Sequence, residues 1–168
     1  MEYKMLKEVC SLSKGKQING DELLDNGFPF YNGGINPSGY WKECNVQANS
    51  ISISEGGNSC GYVNFQKEPF WCGAHCYYLY DLKIDTKYLY YNLKGLQNRI
   101  MALRTGVCMP NIKKSDIERF KVSIYDNNKQ KEIVSILDKI NAIIDADKKQ
   151  LELLYETVKS RFMCQEVA

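Results

Sequence analysis

The stretch KQKEIVSILDKINAIIDADKKQLELLYETVKSRF, residues 129–162, decides the fold class because it contains neither proline nor glycine. Its apolar residues recur at alternating spacings of four and three, which is the repeat of a coiled-coil seam. At 1.5 Å per residue, a helix of this length would extend for about 50 Å and would need a partner to bury its seam. We therefore predict a long coiled-coil helix over residues 127–168 that associates with a partner helix. The seam residues are Ile133, Leu137, Ile140, Ile144, Leu151, Leu154 and Val158, interrupted by Asp147.

The residues before this helix show mixed α and β patterns. In residues 50–54, SISIS, the alternation of Ser and Ile is typical of a half-buried strand, and the Gly-rich segment 55–61 then predicts a hairpin loop. Other runs of β-branched and aromatic residues, bounded by Gly, Asn or Pro, predict strands at residues 61–65, 74–82 and 120–125.

Two helices are predicted within the same region. A short one covers residues 21–26, and a longer one covers residues 87–103, where leucine and isoleucine recur at helical spacing up to a stop at Thr105-Gly106. The fold class predicted is therefore α+β, with a mixed globular domain at residues 1–126 followed by a long C-terminal coiled-coil helix.

The composition is ordinary for a globular protein, with 44% hydrophobic and 25% charged residues among 168. No run of about 18 apolar residues predicts a membrane helix, and residues 1–9 lack the apolar core of a secretion signal. Seven cysteines, an odd number with irregular spacing, favour a reducing compartment over a disulfide scaffold. We expect a cytoplasmic protein that does not associate with a membrane.

The formal net charge of +2 hides a basic segment. Residues 87–121 contain eight basic and two acidic residues, a net +6, whereas residues 129–168 contain seven of each. Such a concentration of cations predicts a face that contacts nucleic-acid phosphates, although a solvated helix surface would have the same composition. The basic residues are Lys87, Lys94, Arg99, Arg104, Lys113, Lys114, Arg119 and Lys121.

The motifs expected of an enzyme are incomplete. Asn36-Pro37 begins the Asn-Pro-Pro-aromatic motif of methyltransferases that act on base amino groups, but Ser38 follows. No Gly-rich loop after a strand offers a nucleotide or S-adenosylmethionine site, so no cofactor is expected. Asp81 and Asp85 each precede a lysine by two residues, a spacing that occurs in metal nucleases and often by chance. A small metal-dependent DNA endonuclease therefore stays an alternative.

Cys72, His75 and Cys76 come nearest to a metal-ligand cluster. In an extended strand the two cysteines would share one face and His75 would point to the other. A tetrahedral zinc site also prefers paired Cys-x2–4-Cys units. The sequence therefore predicts neither a metal site nor catalytic residues.

Seven segments, taken in order, resemble a known family. They are LKEVCSLSKGK at 6–16, GFPFYNGGINPSG at 27–39, the strand–turn–strand at 51–63, Phe70-Trp71 with His75 and Tyr77, YLYY at 88–91, Thr105-Gly106-Val107 with Pro110-Asn111-Ile112, and KQKEIV at 129–134. They resemble a target recognition domain and the long helix that follows it in the DNA specificity subunit of type I restriction–modification systems. The resemblance covers nearly the whole chain. It departs at residues 125–128, YDNN, where the family usually has Pro-Pro-Leu.

The resemblance implies an architecture and partners. Family members usually have two recognition domains separated by an antiparallel pair of long helices, and this chain has one of each. It would be a fragment, or a half-sized subunit whose homodimer reads a bipartite, inverted-repeat site in double-stranded DNA. The subunit would not be catalytic and would direct a methyltransferase subunit, which binds S-adenosylmethionine, and a translocating restriction subunit. A coiled-coil assembly module without a DNA role is a further alternative.

On this interpretation, phosphate contacts position the domain and base contacts specify the sequence. Gly106 would allow a phosphate to approach the backbone beside Arg104 and Thr105. Loop Asn and Ser residues suit adenine or mixed donor–acceptor edges, although the same residues also form turns for backbone reasons. The phosphate contacts predicted are Lys14, Lys16, Arg99, Arg104, Thr105, Lys113 and Lys114, and the base contacts predicted are Asn32, Asn36, Ser38, Asn58 and Ser59.

Overall fold

The computed structural model describes residues 1–106 and 108–165. Val107, part of one motif above, lies outside the described residues, as do residues 166–168 of the predicted helical region. Contacts between residues divide the chain into two units, Met1–Lys131 and Glu132–Ala168.

The first unit combines short strands with short helices, and a long helix follows. The strands are β1 (Glu2–Met5), β2 (Ser11–Lys14), β3 (Phe28–Tyr31), β4 (Gly39–Trp41), β5 (Ser50–Ser54), β6 (Val63–Gln66), β7 (Trp71–Cys72), β8 (Cys76–Tyr80) and β9 (Lys121–Ile124). The helices are α1 (Leu6–Val9), α2 (Thr86–Gly95), α3 (Gln97–Met101), α4 (Lys114–Glu118) and α5 (Asn127–Gln165). This arrangement confirms the predicted α+β class with a long C-terminal helix.

The largest sheet is antiparallel with the strand order β2-β8-β5-β6. The SISIS stretch forms β5, and Ile53 lies opposite Val63 of β6, so the predicted hairpin is confirmed. The expectation that β5 is half-buried is wrong, since Ser52 and Ser54 are as inaccessible as the isoleucines beside them. Both serines are satisfied there, because Ser52 accepts a 2.9 Å hydrogen bond from Gln66 and Ser54 donates to the Gly33 carbonyl.

Two smaller sheets complete the first unit. Strand β1 pairs antiparallel with β9, which joins the beginning of the unit to its last strand. Strand β3 pairs antiparallel with β4 and parallel with β7. A small apolar cluster of Val46, Phe70, Cys72 and Cys76, flanked by Tyr31 and Tyr78, is separate from the main core.

The main core contains Ile51 and Ile53 of β5, Tyr77 of β8, and Leu89 and Leu93 of α2. The two leucines follow the helical spacing seen in the sequence, and both are fully buried. Burial of a side chain of this size stabilises the fold by about 1.5–3 kcal/mol. The main core therefore fixes the large sheet from which the loops described below extend.

Two helix predictions need correction. The helix predicted at residues 87–103 is two helices, α2 and α3, with a break at Leu96 directly after Gly95. The break lets the Gln97 side chain donate to the Gly61 carbonyl at 2.7 Å and accept from the Val63 amide at 2.9 Å. The helix predicted at residues 21–26 is only a 3-10 turn at Gly20–Glu22.

The long helix α5 confirms the helical prediction from residue 129 onward. Asp126 accepts a 3.0 Å hydrogen bond from the Lys129 amide, which lowers the pKa of the Asp126 carboxyl. Gln130 is buried, donates to the Tyr125 carbonyl at 2.7 Å and accepts from the Asp85 amide at 3.2 Å. None of the helices within residues 1–106 and 108–165 is long and apolar enough to cross a membrane.

Candidate nucleic-acid interface

Several loops leave the large sheet at the same end. The strand register places Lys14 opposite Tyr77, Ser54 opposite Cys76, and Ile53 opposite Val63. The last residues of β2 and β5 therefore lie beside the first residues of β8 and β6. We call this edge the loop end, and it carries the segments after Lys14, between β5 and β6, and before Cys76.

Glu55, the residue directly after β5, is the centre of the loop end. Its carboxylate is buried, accepts a 2.9 Å hydrogen bond from the Tyr77 hydroxyl and forms an ion pair with Lys14. Its second oxygen lies 3.8 Å from Nδ1 of His75. Burial, together with the hydrogen bond to the Glu55 carboxylate, raises the pKa of Tyr77. The hydroxyl is therefore a hydrogen-bond donor at neutral pH.

The backbone of Glu55 joins its own turn to two further segments. Its amide donates to the His75 carbonyl at 2.9 Å, and its carbonyl accepts from the Ile112 amide at 2.9 Å. The Cys60 thiol donates to the same carbonyl at 3.0 Å. One residue thus connects the β5–β6 turn to the segment before β8 and to the segment before α4.

Gly33 attaches the loop between β3 and β4 to the β5–β6 turn. Its carbonyl accepts hydrogen bonds from the Ser54 and Ser59 hydroxyls. The Gly33 backbone has φ +93°, and a Cβ there would lie 2.9 Å from the His75 carbonyl oxygen. Only glycine satisfies both constraints, because a side chain would be strained by the left-handed backbone and would meet a carbonyl that cannot move away.

Residues 110–112, in the segment before α4, lie against the β5–β6 turn. Thr105 and Asn111 exchange two backbone hydrogen bonds of 2.9 Å, and the Gly57 amide donates to the Pro110 carbonyl at 3.0 Å. The side chains of Arg104 and Thr105 are exposed. The Thr105–Asn111 backbone hydrogen bonds therefore hold a hydroxyl, and the cation next to it in the chain, beside the loop end.

The residues predicted to contact bases have two different environments. Asn32 accepts a 3.0 Å hydrogen bond from the His75 amide, and Ser59 donates to Gly33, so both side chains organise the loops. Asn36, Ser38 and Asn58 are exposed in the same two loops. The structure therefore leaves these three side chains accessible to a ligand.

The residues predicted to contact phosphate are not all brought together. Lys16 is exposed beside the loop end, where its amide donates to Cys72 and its carbonyl accepts from the Trp71 indole, both at 2.9 Å. Lys113 is exposed at the beginning of α4, and Lys114 pairs with Glu118 at 3.5 Å on that helix.

Arg99 lies on α3, and its side chain faces Phe120. Its guanidinium is 5.8 Å from the centre of the Phe120 ring. The two residues line an open groove of about 560 Å³ together with Arg119 and Lys121, and Arg119 pairs with Asp116 at 2.7 Å. The groove gathers part of the basic segment on the α3–α4 side of the unit.

Sequence reasoning misses Glu55, Tyr77 and Asn111 as members of this site. The only signal for Glu55 is its place as a single acidic residue between the SISIS strand and two glycines. Its partners Lys14 and Tyr77 are more than 20 positions away along the chain, so only the strand register brings the three together.

The carboxylates with nuclease-like spacing have other surroundings. Asp85 caps α2 by accepting a 2.8 Å hydrogen bond from the Tyr88 amide, and Asp81 occupies a left-handed turn with φ 50°.

A hydrogen bond with Cys76 and burial raise the pKa of the Cys72 thiol. Among the described residues, no three His, Cys, Asp or Glu side chains are close enough together to hold a metal ion.

The second unit, Glu132–Ala168, presents apolar side chains to solvent. Of the predicted seam residues, Ile133 and Leu137 are half-buried, and the exposed ones are Ile140, Ile144, Leu151, Leu154 and Val158. Leu151, Leu154, Tyr155 and Val158 line a shallow groove of about 540 Å³. Leu151 is 69% exposed, which is unusual for a leucine at a regular helical repeat.

The chain is similar to known proteins along most of its length. The model of the family described as the type I restriction modification DNA specificity domain matches residues 1–155. A curated protein of Mycoplasma pneumoniae, named as a type I specificity subunit, is 34% identical over 158 residues, which cover 87% of this chain and 42% of that protein. A protein of the same description from Mycoplasma genitalium is 32% identical over 134 residues, which cover 77% of this chain and 35% of the relative.

A solved structure has the same fold. The crystal structure of the S subunit of the type I restriction–modification system from M. genitalium matches with a TM-score of 0.78 and 31% identity. The match covers 84% of this chain and 39% of the other. The chain therefore spans less than half of the length of the relatives it matches.

Proposed function

The chain belongs to the family of type I restriction–modification DNA specificity domains, and on that premise we propose that it recognises a specific sequence in double-stranded DNA through the loop end. The observation that supports this most is the convergence of the loops on Glu55, which fixes them relative to one another. Recognition of base edges requires donors and acceptors at fixed positions, and a braced set of loops meets that requirement.

The exposed polar residues divide naturally between the two kinds of contact. Asn36, Ser38 and Asn58 carry hydrogen-bonding groups suited to base edges. Lys16, Arg104 and Lys113 are exposed cations at or next to the loop end, and they would contact phosphates on either side of the bases read. Arg99 and Lys114, which lie on α3 and α4, would contribute to the same electrostatic attraction.

Arg104→Ala tests the phosphate contacts. If Arg104 neutralises one phosphate, the slope of log K against log salt concentration for a random-sequence duplex should become shallower by about 0.9. The slope is measured by fluorescence anisotropy over a salt series. Lys7→Ala is the matched control, because Lys7 is an exposed cation on α1, outside the loop end, and its removal should leave the slope unchanged. An unchanged slope in Arg104→Ala would contradict the assignment.

We propose that the chain acts as one half of a specificity subunit and forms a homodimer through the seam of α5. The support is the row of exposed apolar side chains in the second unit. A second copy would bury the seam and supply a second recognition domain, so the dimer would read a bipartite, inverted-repeat target. The helix pair would set the spacing between the two half-sites.

The partners proposed are a methyltransferase subunit, which binds S-adenosylmethionine, and a restriction subunit that translocates DNA. The chain itself would be non-catalytic and would hold the DNA for these subunits. The alternative of a metal-dependent endonuclease predicts Mg²⁺-dependent cleavage of duplex DNA by the purified chain. The alternative of an assembly module predicts no salt-dependent DNA binding, so the Arg104 salt series also separates it from DNA recognition.

A further inference from the structure

Glu55 places a buried carboxylate in the part of the molecule proposed to face a polyanion. A carboxylate that is only 4% exposed is tolerated when it is paired with a cation and hydrogen-bonded. Lys14 supplies the charge and the Tyr77 hydroxyl supplies a 2.9 Å hydrogen bond, while His75 is more distant at 3.8 Å. Lys14 is therefore the counterion that this carboxylate needs.

Lys14 is held in place by two contacts. Its ammonium group pairs with Glu55 and lies 5.6 Å from the centre of the Tyr77 ring. A lysine strengthens DNA binding by displacing counterions from the phosphate that it neutralises. Lys14 is half-exposed, but its charge is already balanced by Glu55, so a phosphate would have to compete with a buried carboxylate for it. This argues against the phosphate contact predicted for Lys14 from the sequence.

We propose that Glu55 is a positioning residue for sequence recognition, which withholds Lys14 from the DNA backbone and holds the β5–β6 turn against residues 110–112. The proposal rests on the proposed function and deepens it. An unpaired lysine at the loop end would attract any duplex regardless of sequence. In the ion pair with Glu55, the same lysine instead helps to hold the loops in place. Glu55 would thus favour specificity over affinity.

Glu55→Gln tests the proposal with the full chain. Glutamine has the same shape, can accept the Tyr77 hydrogen bond and keeps the backbone contacts, but it releases Lys14. For a random-sequence duplex, the salt slope should become steeper by about 0.9, because one more phosphate is neutralised. The enrichment of bound over random sequences, measured by sequencing after selection from a random duplex library, should fall about tenfold, as for the loss of one base-pair preference.

Lys14 variants separate positioning from a simple loss of folding. In the wild-type background, Lys14→Ala should leave the salt slope unchanged, since this lysine does not contact phosphate. In the Glu55→Gln background, Lys14→Ala should return the steeper slope to the wild-type value. Glu2→Gln is the matched control, because Glu2 forms a 3.3 Å ion pair with Lys4 on β1, outside the loop end, and it should change neither slope nor enrichment.

The outcomes distinguish this proposal from the proposed function. Wild-type protein without salt-dependent DNA binding would refute DNA recognition itself. Wild-type binding with an unchanged slope in Glu55→Gln would overturn only the role of Glu55. If either single variant does not fold by circular dichroism, the double variant Lys14→Ala/Glu55→Gln decides, because it leaves no unpaired buried charge. A slope equal to that of the wild type would support the proposal, and a slope shallower by about 0.9 would show that Lys14 contacts phosphate.

Discussion

Tyr77 shows how one residue serves both the core and the loop end. Its ring is buried with Ile51 and Ile53, and its hydroxyl donates to Glu55 at 2.9 Å and lies 3.2 Å from the Ile112 carbonyl oxygen. Tyr77 thus links the rigid sheet to Glu55, the residue that organises the loops. The neighbouring Tyr78 faces the smaller apolar cluster, as the alternation of a strand requires.

Tyr77→Phe should lower the free energy of unfolding by about 1.5–3 kcal/mol, the usual contribution of a hydrogen bond to a charged group. Urea denaturation followed by circular dichroism measures the change. Tyr3→Phe is the control, since Tyr3 is exposed on β1 and its hydroxyl should contribute little. An equal loss of stability in the two variants would show that the Glu55 hydrogen bond is not the cause.

The difference in stability between wild type and Tyr77→Phe should change with pH in a defined direction. Because the pKa of Tyr77 is raised in the folded protein, its contribution is fully present below about pH 10, the ordinary pKa of tyrosine. It is lost as the pH rises through the raised folded value. The difference in stability between wild-type and Tyr77→Phe should therefore be constant from neutral pH to about pH 9 and should shrink at higher pH. A difference that grows with alkaline pH would contradict the pKa shift.

Strands and helices could be predicted from the sequence where the local spacing of apolar residues determines them. The SISIS hairpin and the long helix follow from periods of two and of alternating four and three, which the chain itself carries. The burial of Ser52 and Ser54 was not predictable, because it depends on the Gln66 side chain and on the loop of Gly33. The site was predictable only as a set of polar loops, since the Lys14–Glu55–Tyr77 contacts depend on the pairing of β2, β5 and β8.

The break between α2 and α3 is the element whose sequence signal was misread. The apolar spacing continues through it, but the Gln97 side chain satisfies the Gly61 carbonyl and the Val63 amide, both in buried residues. A tertiary requirement for hydrogen bonds therefore overrides the local helical pattern.

Gln97→Ala should cost about 1–3 kcal/mol of unfolding free energy, because it leaves two buried backbone groups without this partner. Asn98→Ala is the matched control, as Asn98 is exposed on the same short helix. Urea denaturation of the two variants measures the difference. A cost in Gln97→Ala no larger than that in Asn98→Ala would mean that the Gln97 contacts do not hold the break in place.

At the scale of the whole molecule, the two units differ in whether they bury their own apolar side chains. The first unit buries its own core, and its polar loops are tied together by internal hydrogen bonds. The second unit exposes Leu151, Leu154 and Val158 on one helix, and a single helix cannot bury them by itself. A helical seam of this length is stable in water when a second helix covers it. In the proposed homodimer, a second copy of the chain supplies that helix.

Leu151→Lys combined with Leu154→Lys tests the dimer at the seam. Light scattering of the wild-type protein at micromolar concentration should give twice the 19.4 kDa mass of the chain, and the double variant should give 19.4 kDa. Each buried lysine should weaken association by at least about 1.4 kcal/mol, so the pair would raise the dissociation constant by about a hundredfold or more. Gln150→Lys adds a charge at an exposed position off the seam and should remain dimeric. A wild-type chain that is monomeric at this concentration would refute the homodimer, and DNA recognition by the single domain would then have to be tested on one half-site.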